Sequence, residues 1–72
     1  MTHVITESTV RYVLSINDIN TSISMEIQDA ASGEEYDSIY LQDQLELMQC
    51  LGNNWRDLEP VTIIRILRQF WI

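Results

Sequence analysis

The chain is predicted to be an α+β domain, a three-stranded antiparallel meander covered by two helices, formed as a single domain over residues 1–72. Three observations predict it. Two neighbouring runs alternate apolar and polar residues with period two, residues with turn chemistry separate them, and a wide apolar arc of helical period lies near the C-terminus.

Thr9 to Ile16 is the first strand. Val10, Tyr12, Leu14 and Ile16 share one face, with Thr9, Arg11, Val13 and Ser15 on the other, and β-branched and aromatic residues suit a pleated, half-buried surface. His3 to Thr6 either extends this strand or forms a short separate one. Asn17-Asp18-Ile19-Asn20 is turn chemistry, because Asn and Asp tolerate left-handed backbone. Thr21 to Gln28 alternates again, with Ile23, Met25 and Ile27 inward, and completes a hairpin. Asp29 to Glu35, containing Ala30-Ala31-Ser32-Gly33, is a second loop. Tyr36 to Leu41 is the third strand, with Ile39 and Leu41 inward; a helix starting near Ser38 is the competing reading.

Asp43 and Glu46 stand three apart, the spacing of a capping box, before the apolar residues Leu45, Leu47, Met48 and Leu51. Gly52 stops that helix, since the left-handed position after a helix favours glycine. The last helix is capped by Asp57 and carries Pro60 in its first turn, where a missing N–H costs little. Ile63, Ile64, Ile66, Leu67, Phe70 and Trp71 fill its apolar arc, and the sheet face made by Val10, Tyr12, Leu14, Ile23, Met25 and Ile27 is what that arc packs on.

Composition narrows the function classes. One cysteine, Cys50, allows no internal disulfide, and Met1 to Val4 show no basic segment before an apolar one, so the expected location is a reducing cytoplasm. With one histidine, His3, far from Cys50, four soft metal ligands cannot be assembled, and no cofactor is expected. No stretch reaches the roughly 20 apolar residues of a membrane span. The chain has no lysine and no glycine-rich loop. Cys50 beside Met48 and Leu51 reads as a small hydrophobe rather than a nucleophile. Glu34, Glu35 and Asp37 read as a solvated loop rather than an acid–base pair, so an enzyme is not expected.

Charge is the distinctive feature. There are 11 acids against 4 arginines, a net charge of −7, and Asp18 to Glu46 contains no base. Such a surface repels phosphate backbones and anionic lipid and attracts basic proteins. Neither direct nucleic-acid contact nor membrane binding is expected. The expected contact surface is Glu26, Asp29, Glu34, Glu35, Asp37, Asp43 and Glu46. Arg65 and Arg68, neighbours on the last helix, are a candidate anion site that could hold a small nucleotide, although cations near a helix C-terminus also oppose its dipole favourably. Trp55, Phe70, Trp71 and Ile72 are a candidate oligomer interface, because aromatic residues at a chain end make natural anchors.

In its size, its base-free acidic segment and its lack of catalytic residues, the chain resembles the class of small acidic phage-encoded inhibitors: anti-CRISPR, anti-restriction and host-takeover proteins. That resemblance implies a non-enzymatic protein in the host cytosol that occupies a functional surface of a basic, nucleic-acid-handling host protein. Strict imitation of DNA would want outward acids at every second residue of a strand, about 6.6 Å apart. Ser24, Glu26 and Gln28 supply only one, which favours occlusion of a protein surface over phosphate imitation. An assembly subunit or homodimer built on the aromatic residues, and a sponge for a small anionic nucleotide, are the alternatives.

Overall fold

Six of the first seven residues already form a strand. Thr2–Glu7 (β1) folds back on Val10–Asn17 (β2) through the two-residue turn Ser8-Thr9, with Glu7 opposite Val10 and Ser8 in the left-handed region at φ 57°. Ser22–Asp29 (β3) pairs antiparallel with β2, and Glu35–Leu41 (β4) pairs antiparallel with β3. The sheet therefore has four strands in the order β1-β2-β3-β4, one more than the sequence reading expects. The extra strand is β1, the separate-strand alternative for His3 to Thr6; the sequence leaves the two readings open because Ser8-Thr9 lacks the Asn-Gly or Asp-Gly signature of two-residue hairpin turns. The computed structural model describes residues 1–17 and 22–70, the last of these through its backbone. The turn expected at Asn17-Asp18-Ile19-Asn20 thus falls mostly outside the described residues, and Asn17 itself closes β2.

Two helices cover one face. Gln44–Leu51 (α1) starts at Asp43, whose carboxylate accepts the Leu45 N–H at 2.8 Å, so the cap is an aspartate cap at the second helical residue. Gly52 ends it at φ 98°, donating its N–H to the Met48 carbonyl. Trp55–Asp57 is a 3₁₀ turn, and Pro60–Leu67 (α2) begins with proline at its first position. The cap expected at Asp57 is not there: Asp57 closes the 3₁₀ turn, the extended Leu58 and Glu59 separate it from α2, and Glu59 takes the capping position without a side-chain cap bond. Arg68–Phe70 continues α2 as a 3₁₀ turn.

The core lies between this helical layer and the inner sheet face. Leu14, Ile23, Met25 and Leu41 from the sheet meet Leu47, Leu51, Trp55, Ile63, Ile64 and Leu67, with Ile5, Tyr12, Ile16, Ile39 and Ile66 packed around them. α1 lies against β4 and α2, and α2 lies against β2, so α1 covers the β4 side. The other sheet face, including Thr2, Val4, Thr6, Val13, Glu26 and Ser38, carries no helix.

Candidate protein-interaction surface

The seven acids of the expected contact surface lie between Ser22 and Leu51, a stretch without lysine or arginine. The remaining acids, Glu7, Asp18, Asp57 and Glu59, equal the arginines in number, so the whole net charge of −7 resides on residues 22–51. In the fold this stretch is β3, its hairpin loop, β4 and α1, and it forms one flank of the molecule.

These acids divide by what they already do. Asp29 builds the hairpin loop: its carboxylate accepts the N–H groups of Ser32 at 2.8 Å and Ala31 at 3.1 Å, and the Tyr36 hydroxyl at 2.9 Å. The Ser32 N–H and then the Tyr36 hydroxyl hold its carboxyl below the ordinary aspartate range, while the bond to Asp29 pushes the Tyr36 phenol up. Gly33 takes φ 78° in this loop, and a Cβ there would stand 3.2 Å from the Arg11 guanidinium. Arg11 donates to Gln28 at 3.0 Å, and Gln28 donates to Glu26 at 2.8 Å, so Glu26 belongs to a chain of side chains across the sheet. Asp43 caps α1. Asp37 accepts the following Ser38 N–H at 2.8 Å. Glu34, Glu35 and Glu46 are exposed.

Among these acids stand large side chains that the charge pattern alone does not reveal. Tyr36, Tyr40 and Leu45 are 59%, 57% and 60% exposed, on β4 and the first turn of α1. Tyr40 was legible in part, since it alternates with the inward Ile39 and Leu41. β4 is an edge strand with a bulge opposite Ile27 and Gln28, so this strip faces solvent at the rim of the sheet. Beside it, Tyr40, Ser22, Ser24 and Ser15 line an open depression of about 550 Å³.

The other expected sites fare differently. Trp55, expected at an oligomer interface, is 4% exposed and sits in the core, with the Arg56 guanidinium 5.2 Å from its ring centroid. Trp71, Ile72 and the Phe70 side chain lie outside the described residues. Arg65 is exposed on α2, whereas Arg68 pairs with Glu7 of β1. That ion pair occupies the second guanidinium of the expected anion site. Cys50 is half-buried against the core. A smaller cavity of about 260 Å³ lies between His3, Ile16, Trp55 and Pro60, and the His3 Nε2 is buried without a hydrogen-bond partner among the described residues.

No helix among the described residues is long and apolar enough to cross a membrane, and no three His, Cys, Asp or Glu among them gather into a metal-holding group. The chain matches no family model, no curated protein and no solved structure.

Proposed function

We propose that the protein is a non-enzymatic binding module that occupies a basic surface of another protein, in the manner of the phage-encoded inhibitors it resembles. The observation that carries this reading is the gathering of seven of the eleven acids on the β3–β4–α1 flank, reached from β2 by Arg11, with Tyr36, Tyr40 and Leu45 exposed among the acids. Acids steer a basic partner and set its orientation; they contribute more to encounter and specificity than to residence. Tyrosine supplies the complementary part, a rigid apolar body with a polar tip of the kind that dominates interface energies. Tyr36 is already tied to Asp29, so Tyr40 is the side chain assigned the anchoring role. A partner that itself handles nucleic acid fits best, because its working surface is basic and is blocked when an acidic flank covers it.

The test is affinity capture from a bacterial lysate at low and moderate salt, using the natural chain, Glu34→Lys/Glu35→Lys and Tyr40→Ala. A basic protein retained by the natural chain is expected to be lost as salt rises, lost with the charge reversal, and weakened by Tyr40→Ala. If every retained protein binds the charge-reversed chain equally well, the acidic flank is not the contact surface.

A further inference from the structure

We infer that the protein forms a two-fold homodimer by antiparallel pairing of β1 with β1 of a second copy, centred on Val4. The inference is independent of the partner proposed above. It starts from the backbone. Met1 and Ile16 exchange both of their hydrogen bonds, at 2.8 and 2.9 Å. In an antiparallel ladder such pairs alternate with pairs whose groups point away. Met1, His3, Ile5 and Glu7 therefore bond to β2, and Thr2, Val4 and Thr6 turn their N–H and C=O groups to the free edge of the sheet.

The two edges of this sheet are not equivalent. β4 carries the devices that keep an edge from pairing: a bulge, charged side chains, and the Asp37 carboxylate bonded to Ser38 N–H. β1 has no bulge, and its one carboxylate, Glu7 at its far end, is already paired with Arg68. Its sequence from Thr2 to Ile5 is uncharged and rich in β-branched residues, it has no proline, and its register with β2 is continuous. Val4 is 55% exposed on the face without helices. Beside this edge, His3, Ile5, Glu59, Pro60 and Val61 line an open groove of about 350 Å³.

Symmetry and charge select a second copy as the occupant. A two-fold axis through Val4 sets Val4 opposite Val4, Thr2 opposite Thr6 and His3 opposite Ile5, and this register uses every outward backbone group of Thr2, Val4 and Thr6. Residues facing one another then lie on the same side of the sheet, as an antiparallel pair requires. Two chains each carrying −7 repel, yet that charge lies at the far side of each sheet from β1. In the joined eight-stranded sheet the two β4 edges stand seven strand spacings apart, about 34 Å. That is several times the screening length of about 8 Å at physiological salt. Pairing through β4 would instead set Glu35 and Asp37 of one copy against those of the other.

Sedimentation equilibrium or light scattering across micromolar to millimolar concentration tests it, with three variants. The natural chain is expected to pass from monomer to dimer mass, with little change between 50 mM and 500 mM salt. Val4→Pro removes only an outward N–H and is expected to weaken dimerisation at least tenfold. Thr2→Lys/Thr6→Lys places like charges opposite each other and is expected to give monomer, whereas Thr2→Glu/Thr6→Lys is expected to restore the dimer. A natural chain that stays monomeric to millimolar concentration overturns the inference, as does a dimer untouched by Thr2→Lys/Thr6→Lys. Failure of Thr2→Glu/Thr6→Lys to restore it overturns the Val4-centred register.

Discussion

At its β4 end the sheet meets water with charge, a bulge and an aspartate folded over its own strand; at its β1 end it presents Thr2-His3-Val4-Ile5-Thr6, with the one carboxylate, Glu7, paired to Arg68. The contrast extends into the layers above. The β4 side, with α1 and the hairpin loop, holds seven of the eleven acids and the exposed Tyr36, Tyr40 and Leu45, with Arg11 of β2 reaching its loop. The other side, with α2, pairs charge internally, as Glu7 does with Arg68. On the proposals made above, one half meets a partner of opposite charge and the other pairs with a second copy. Substitutions in the two halves are accordingly expected to fail in different assays: capture of a partner on the acidic side, stability or self-association on the neutral side.

The largest expected effect lies at Trp55, where the residue type suggested a contact surface and the fold supplies a core position. Trp55→Ala removes a buried indole from the cluster with Ile63, Ile64 and Leu67 and is expected to cost about 3–5 kcal/mol, measured by urea denaturation. For a 72-residue domain that is a large part of the total stability. A loss of less than about 1 kcal/mol would mean that Trp55 serves a surface rather than the core. Tyr40→Ala, by contrast, is expected to stay within about 0.5 kcal/mol of the natural chain, because its side chain is exposed.

That reversal shows where sequence patterns were informative. Strands β2 and β3 were legible because one face of each is buried, so alternation marks Leu14, Ile23, Met25 and Ile27 directly. The start of α1 at Asp43 and its stop at Gly52 were legible because each residue answers a local backbone requirement. β1 was legible only as one of two readings of His3 to Thr6, because Ser8 adopts a left-handed turn without the residues that usually announce one. Trp55 and Asp57 were misread for a related reason. The 3₁₀ turn between the helices has no periodic signature, and so nothing local separated it from the start of α2. The acidic flank was visible as a run of residues. Its unity as one side of the molecule, and the tyrosines within it, depend on β4 being an edge, which is a property of topology rather than of any short segment.

Next in size is the hairpin loop, which sets the position of the acidic edge. Gly33→Ala is expected to cost about 1–2 kcal/mol, since it combines a left-handed backbone with a Cβ pressed toward Arg11. If the loop positions the contact surface, partner capture falls as well; unchanged capture would show that the loop's shape is irrelevant to binding.

A smaller effect follows from Asp29. Its carboxyl titrates lower in the folded chain than in the unfolded one, so the ionised form stabilises the fold. This contribution is complete above the unfolded aspartate value of about 3.9 and declines as pH falls through the lower, folded value. Tyr36 behaves in the mirror sense: its raised pKa means a contribution complete below about 10 and lost as pH rises through the folded value. NMR titration of the Ala31 and Ser32 amides is expected to show a midpoint below the ordinary aspartate range, shifted upward in Tyr36→Phe. An Asp29 midpoint at the ordinary value would remove the loop's electrostatic role.

The smallest expected effect tests whether the neutral side is neutral by internal pairing. Glu7 and Arg68 join β1 to the end of the helical layer, and both side chains remain more than a third exposed. Solvent screens such a pair, so Glu7→Gln is expected to cost about 0–1 kcal/mol, with the loss disappearing at high salt. The double-mutant cycle with Arg68→Gln isolates the pair from the other effects of either substitution. A coupling that vanishes with salt while self-association persists would show that pairing of β1 edges does not depend on this bridge. Coupling well above 1 kcal/mol would instead make the bridge a principal tie of β1, and the contrast between a charged flank and a screened, neutral one would have to be redrawn.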